Sequence, residues 1–166
     1  DEKIIRKYMD DVLEDRIVTG LFERLAVERQ VRDLKEGPDR GLFFDENAAQ
    51  HRLDFYPFCR FTKGRWKGRT FTPSPEQMFI KWCIYGWYRD TGKRRFRESY
   101  LSMARKQGKT EEAATDALYL LGFDGENSAE IYSAATKKAQ ALIVLEAAAE
   151  MVHLSKPLRA KLQVGG

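Results

Sequence analysis

The chain of 166 residues carries 29 Lys and Arg against 25 Asp and Glu, with 43% hydrophobic and 33% charged residues, a composition that suits a globular protein with a buried core. No apolar run approaches the length needed to span a bilayer, and the 2 Cys residues, Cys59 and Cys83, have neither metal-ligand spacing nor the number of a disulfide framework, which leaves them as free thiols. The net charge of +4 favours anionic partners only mildly, and the charged start Asp1 to Arg6 lacks a following apolar region, so a cytoplasmic setting with no membrane partner is expected.

In chain order, residues 3–36 read as helix in two pieces, with a break at Gly20. Ile4, Ile5, Tyr8, Val12 and Leu13 form one apolar stripe, and Leu21, Phe22, Leu25 and Leu34 form another. Gly37-Pro38 stops this section, because Gly ends helices and Pro cannot continue one. A further helix is expected from Glu46 to Phe58, with Asp45 as N-cap and Pro57 limiting its end. Between Thr62 and Pro75, the breakers Gly64, Gly68 and Pro73 alternate with Lys63, Arg65, Lys67 and Arg69, which predicts an exposed basic loop. Those four cations are the candidate contacts to DNA phosphates. Residues 1–72 are therefore expected to form a helical N-terminal appendage with a basic loop, and residues 73–166 a second part of different character.

That second part opens with Ser74 capping an apolar, aromatic helix, Met78 to Trp87. Asp90-Thr91-Gly92 is a turn leading to Lys93-Arg94-Arg95-Phe96-Arg97. A short strand over Glu98 to Ala104, a helix over Lys109 to Leu121 stopped by Gly122, a strand over Ala129 to Ala134 and a helix over Thr136 to Leu154 complete the order. Alternating strands and helices predict an α/β fold with a parallel sheet. In the last helix Ala139, Leu142, Ile143, Ala147, Glu150 and Met151 lie at helical spacing and read as core. Leu142 to Glu146 superficially resembles an apolar strand ending in an acid, but the helix formers on both sides place it in that helix.

Arg105-Lys106-Gln107-Gly108-Lys109-Thr110 lies between the first strand and its helix. Gly-Lys-Thr at a helix start is the working end of a phosphate-binding P-loop. Gly lets the backbone approach phosphate oxygens, the helix-start amides donate to them, Lys109 adds charge and the Thr110 hydroxyl can ligate Mg²⁺. The full pattern G-x-x-x-x-G-K-[ST] is not met, since Met103 stands where its first Gly belongs. Glu111 and Glu112 suit the helix dipole yet bring negative charge close to a phosphate site.

The run from Phe96 to Thr110, followed by Ala117-Leu118-Tyr119-Leu120-Leu121 and Tyr132-Ser133-Ala134-Ala135-Thr136, resembles the ATPase domain of tailed-phage terminase large subunits. Phe44 to Ala48, the Gly64 to Thr72 loop, Gln77 and Ile84 to Trp87 are similar to the family's lead-in. Terminase P-loops replace the first Gly and carry an Arg within the loop, which fits Met103 and Arg105. The resemblance implies a P-loop fold and an ATP-driven motor, a hydrolase that pumps double-stranded DNA through a portal ring into a capsid. Implied partners are DNA, the portal protein, a small terminase subunit and further copies of the chain in a ring, in the host cytoplasm. The implied cofactors are ATP and Mg²⁺. Lys109 and Thr110 would bind the β and γ phosphates and Mg²⁺, with Gln107 and Gly108 offering amides and Lys106 adjoining them. Arg105 would stabilise transition-state charge or sense hydrolysis, or else stay a solvated loop residue. Gln77 matches an adenine-recognising Gln, or is a polar helix-start residue, and Glu76 departs from the aromatic residue that often precedes that Gln.

No clear second Mg²⁺-holding acid or nuclease carboxylate cluster is visible in the sequence, so the expectation is an N-terminal piece that binds ATP and hydrolyses it poorly. Two other readings stay open on the residues alone. One is an unrelated P-loop enzyme. The other is a nucleic-acid-binding module without a nucleotide site, resting on the basic residues around Trp66 and Phe96.

Overall fold

The N-terminal helical stretch breaks over residues 14–20, wider than the expected break at Gly20, which serves as the N-cap of the second helix. Helix α1 runs Glu2–Leu13 and α2 runs Leu21–Glu36 in a computed structural model that describes residues 1–104 and 107–162. Strand β1 (Leu42–Phe44) follows, then α3 (Glu46–Leu53), α4 (Pro75–Gly86), β2 (Trp87–Arg89), α5 (Lys109–Gly122), α6 (Lys138–Leu154) and α7 (Lys156–Lys161). The chain divides into two compact units, one of Asp1–Asp54 and Pro73–Tyr100, the other of Phe55–Thr72 and the residues from Leu101 onward. No helix among the described residues is long and apolar enough to cross a membrane.

Local chemistry sets the helix ends. Asp45 caps α3, its carboxylate accepting from the Ala48 amide at 3.0 Å. At α4 the Ser74 hydroxyl accepts from the Gln77 amide at 3.2 Å while Gln77 Oε1 accepts from the Ser74 amide at 2.8 Å, a reciprocal capping box with Pro75 in the first turn. The helix expected to reach Phe58 stops at Leu53, and a 3₁₀ turn takes over at Tyr56–Phe58, because Pro57 has no amide to extend the helical ladder.

In the first unit Ile5, Tyr8, Met9 and Val12 face inward from α1, and the Tyr8 and Phe79 rings meet at 5.5 Å. Phe44 packs on Trp82 at 5.6 Å and on Trp87 at 5.1 Å. Gly86 allows this: a Cβ there would lie 2.5 Å from the Phe44 ring and 3.0 Å from the Ala49 methyl. Gly86→Ala is accordingly expected to destabilise the fold by about 1–3 kcal/mol through overpacking. Urea denaturation measures it, and an unchanged midpoint would show that the Phe44 ring moves aside without cost.

The second apolar stripe is a correction. Leu21, Phe22, Leu25 and Leu34 of α2 are exposed, and the buried face is Val27, Gln30 and Asp33. These polar groups are buried because they have partners. Gln30 Oε1 accepts from Trp87 Nε1 at 2.7 Å and from Cys83 Sγ at 3.3 Å. Asp33 takes Arg40 and Arg95, each at 2.7 Å. Cys59 and Cys83 are both buried thiols outside any disulfide, and burial pushes the Cys83 thiol up to about 12, so it stays protonated and inert.

The expected parallel sheet is also corrected. Among the described residues the one sheet has two strands, β1 and β2, paired antiparallel with Phe43 opposite Tyr88. Neither Glu98–Ala104 nor Ala129–Ala134 is strand. A strand exists only as a member of a ladder, and these short segments, polar at Glu98, Ser99, Ser102, Glu130 and Ser133, find no partner among the described residues. The described fold is thus mostly helical. The Asp90-Thr91-Gly92 turn does form, with Gly92 at φ +74° and its amide bonded to the Arg89 carbonyl at 2.9 Å.

The second unit packs α5 on α6, with Ala114, Leu118 and Tyr119 buried from one and Ala147, Ala148, Met151 and Val152 from the other. Phe55 meets Tyr119 at 5.6 Å and Phe123 at 4.7 Å. Leu142 and Ile143, expected in the core, are 36% and 39% exposed, so only the C-terminal half of α6 is buried.

Candidate nucleotide site

Gly108 is the N-cap of α5 and sits in the left-handed region at φ +75°, ψ 15°, where a side chain is strained. The helix starts directly after it, with the Glu112 amide bonded to the Gly108 carbonyl at 2.9 Å. A glycine cap brings no side chain to the helix start, so the amides of the first turn face outward as donors at the positive end of the dipole. Lys109 is exposed, and its ammonium donates to the Met103 carbonyl at 2.5 Å, which brings it back to the position where the sequence pattern begins. Thr110 is half-buried in the first turn and Gln107 is exposed. Arg105 and Lys106 lie outside the described residues.

The awkward carboxylates are both engaged. Tyr56 Oη donates to Glu112 Oε1 at 2.6 Å in a buried contact, and Thr62 Oγ1 donates to Glu111 Oε1 at 3.3 Å. Neither donor was singled out in the sequence, since each lies far along the chain from its acceptor.

The basic loop expected at Thr62 to Pro75 is an ordered hairpin. A bridge joins Arg60 to Thr70, the Phe61 amide bonds the Arg69 carbonyl at 2.9 Å, and the Gly68 amide bonds the Phe61 carbonyl at 2.8 Å. Lys63, Arg65, Lys67 and Arg69 are all exposed. The guanidiniums of Arg65 and Arg69 each lie 4.9 Å from the centre of the Trp66 ring, and Lys67 pairs with Glu150 at 2.8 Å. In the other basic run, two cations are engaged within their own unit, Arg94 at 4.7 Å from the Tyr85 ring centre and Arg95 paired with Asp33, while Lys93 and Arg97 are exposed.

A family model described as terminase large subunit, ATPase domain, matches residues 75–163, more than half of the chain. The chain belongs to that family. Neither the curated proteins nor the solved structures gave a match. The terminase match opens at Pro75, the first residue of α4, and takes in Gln77 and the whole Gly108-Lys109-Thr110 helix start. The hairpin cations lie before it. Gln77 belongs to the first unit and is 9% exposed, with its side-chain oxygen held in the capping box. No group of three or more His, Cys, Asp and Glu among the described residues could hold a metal ion.

Proposed function

We propose that this terminase-family chain is the ATP-binding part of the large subunit of a phage DNA-packaging motor. The observation that carries the proposal is Lys109 on a helix capped by left-handed Gly108, inside the segment matched by the ATPase-domain family. Gln107 and Gly108 offer backbone amides to the phosphates of ATP, Lys109 reaches the β and γ phosphates, and the Thr110 hydroxyl ligates Mg²⁺. Arg105 and Lys106 adjoin them in the sequence and would add positive charge, Arg105 being proposed to stabilise charge at the γ phosphate. Gln77 keeps its side-chain NH₂ to donate to an adenine edge, its oxygen serving α4. Residues 1–72 act as the lead-in appendage and residues 73–166 as the N-terminal portion of the ATPase domain. Double-stranded DNA, the portal, the small subunit and sister copies in a ring are the partners, in the host cytoplasm.

Hydrolysis needs a group to orient water and an acid to help hold Mg²⁺. No described residue is assigned either role, so the proposal is for binding with low turnover. Calorimetric titration of ATP with and without Mg²⁺ tests it. Mg²⁺-dependent binding with little phosphate release is expected, and steady hydrolysis would show that the chain supplies the remaining groups.

For DNA, Lys63, Arg65, Lys67 and Arg69 are proposed to contact backbone phosphates. Replacing all four by Ala is expected to flatten the log-affinity against log-salt slope for a duplex by about three units, since each neutralised phosphate contributes about 0.9. The Glu150 pairing of Lys67 accounts for setting the figure below four contacts. An unchanged slope would remove the hairpin from the DNA interface, and salt-insensitive, sequence-selective binding would point to base readout instead.

A further inference from the structure

We infer that the 55–72 segment keeps the nucleotide site open by holding the two carboxylates of the α5 first turn away from it, with Tyr56 and Thr62 as positioning residues. The inference rests on the ATP-binding reading. Counting from the Gly108 cap, Glu111 is the third helical residue, the position whose carboxylate reaches back to the cap amide in a capping box. Left to itself, Glu111 would occupy the Gly108 amide and set its charge where a phosphate would sit. Glu112 follows it and would add a second negative charge within a few ångströms of the bound anion.

The structure diverts both. Thr62, 2% exposed, gives its hydroxyl to Glu111 at 3.3 Å. Tyr56, 3% exposed, gives its hydroxyl to Glu112 at 2.6 Å, and Glu112 itself is 2% exposed. The donors are rigidly seated. The Tyr56 ring stacks on Phe71 at 5.7 Å, and the Phe71 amide bonds the Cys59 carbonyl at 3.0 Å. Thr62 sits within the hairpin that the Arg60 to Thr70 bridge closes. Both donors come from outside the family-matched segment, yet they act on the helix that carries its Gly-Lys-Thr. A first turn with two acids is compatible with anion binding only while those acids are bound elsewhere, and this segment supplies one hydrogen bond to each.

Calorimetric titration of Mg·ATP into six proteins tests the inference: the wild type, Thr62→Val, Tyr56→Phe, each of these two combined with the matching Glu111→Gln or Glu112→Gln, and Lys109→Ala. Thr62→Val and Tyr56→Phe keep side-chain size while removing the hydroxyl, and melting curves report whether each variant folds. Thr62→Val is expected to weaken binding about threefold and Tyr56→Phe about five- to tenfold, less than the roughly 13-fold or more that a hydrogen bond to a charged group is worth, because only part of each loss reaches the phosphate. Adding the matching Gln should restore affinity to within about twofold, because the freed side chain no longer carries the repelling charge. Wild-type affinity in both hydroxyl variants would overturn the inference while leaving the ATP reading intact. So would lost affinity that follows the melting temperature down and is not recovered by Gln, since that is loss of packing alone. A wild type that binds no better than Lys109→Ala would overturn both the ATP reading and the inference built on it.

Discussion

Lys109→Ala is expected to lower the affinity for Mg·ATP by about 30- to 150-fold, equivalent to about 2–3 kcal/mol for a hydrogen-bonded charge removed from a phosphate. The effect is large because the Lys109 ammonium is the described cation at a helix start whose cap supplies no side chain. The ammonium donates to the Met103 carbonyl, a neutral acceptor, whereas a phosphate would offer a charge-assisted hydrogen bond. The same exposure predicts that the fold is spared: melting should shift little, because Lys109 is at the surface and packs on nothing in the core. Lys109→Arg keeps the charge but replaces a compact ammonium by a planar fork, so an intermediate loss is expected. Titration calorimetry on the three proteins reads the series directly. Equal affinity in wild type and Lys109→Ala would remove the P-loop assignment.

What could be read from the sequence was the chemistry confined to a few neighbouring residues. Asp45, Ser74 with Gln77, and the Asp90-Thr91-Gly92 turn bond within three or four positions of themselves, and each took the role its residue type dictates. The same holds for the helix that follows Gly108, which Gly-Lys-Thr implied, while the left-handed conformation of Gly108 itself came from the structure. Partners far along the chain were not legible. Asp33 reads as a surface residue of an amphipathic helix until Arg40 and Arg95 are brought to it, and with it goes the orientation of all of α2. Tyr56 and Thr62 are 56 and 49 positions from the carboxylates they donate to, so the candidate nucleotide site was visible as a motif while those donors were not. The sheet failed for a related reason. Alternation favours a parallel ladder only if strands find each other, whereas β1 and β2 are three residues each, too short for any periodicity to announce.

Asp33 carries the largest expected stability effect. Its side chain is 1% exposed and faces Arg40 and Arg95 at 2.7 Å, with Arg32 at 3.7 Å. Removing the carboxylate in Asp33→Ala leaves Arg95, whose side chain is 13% exposed, beside an apolar gap. Breaking a buried pair costs about 3–5 kcal/mol, and the solvent around the half-exposed Arg40 screens part of it, so about 2–4 kcal/mol is expected by urea denaturation. The pH dependence separates charge from packing. Burial on its own would raise the Asp33 carboxyl, but hydrogen bonds from Arg95 and Arg40 outweigh it and hold the group below its ordinary 3.8. Its stabilisation is therefore complete above 3.8 and is lost as the pH falls from there through the lowered folded value. Glu76 has the opposite sign: burial, with the Glu23 charge behind it, lifts its carboxyl above 4.5, so protonation favours the folded state. That gain is fully present below 4.5 and lost as the pH rises through the raised value. Acidification from neutrality should thus first stabilise the protein slightly and then destabilise it. Asp33→Asn is expected to keep the first limb and flatten the second, and a wild-type acid limb in that variant would place the pH-sensitive carboxylate elsewhere.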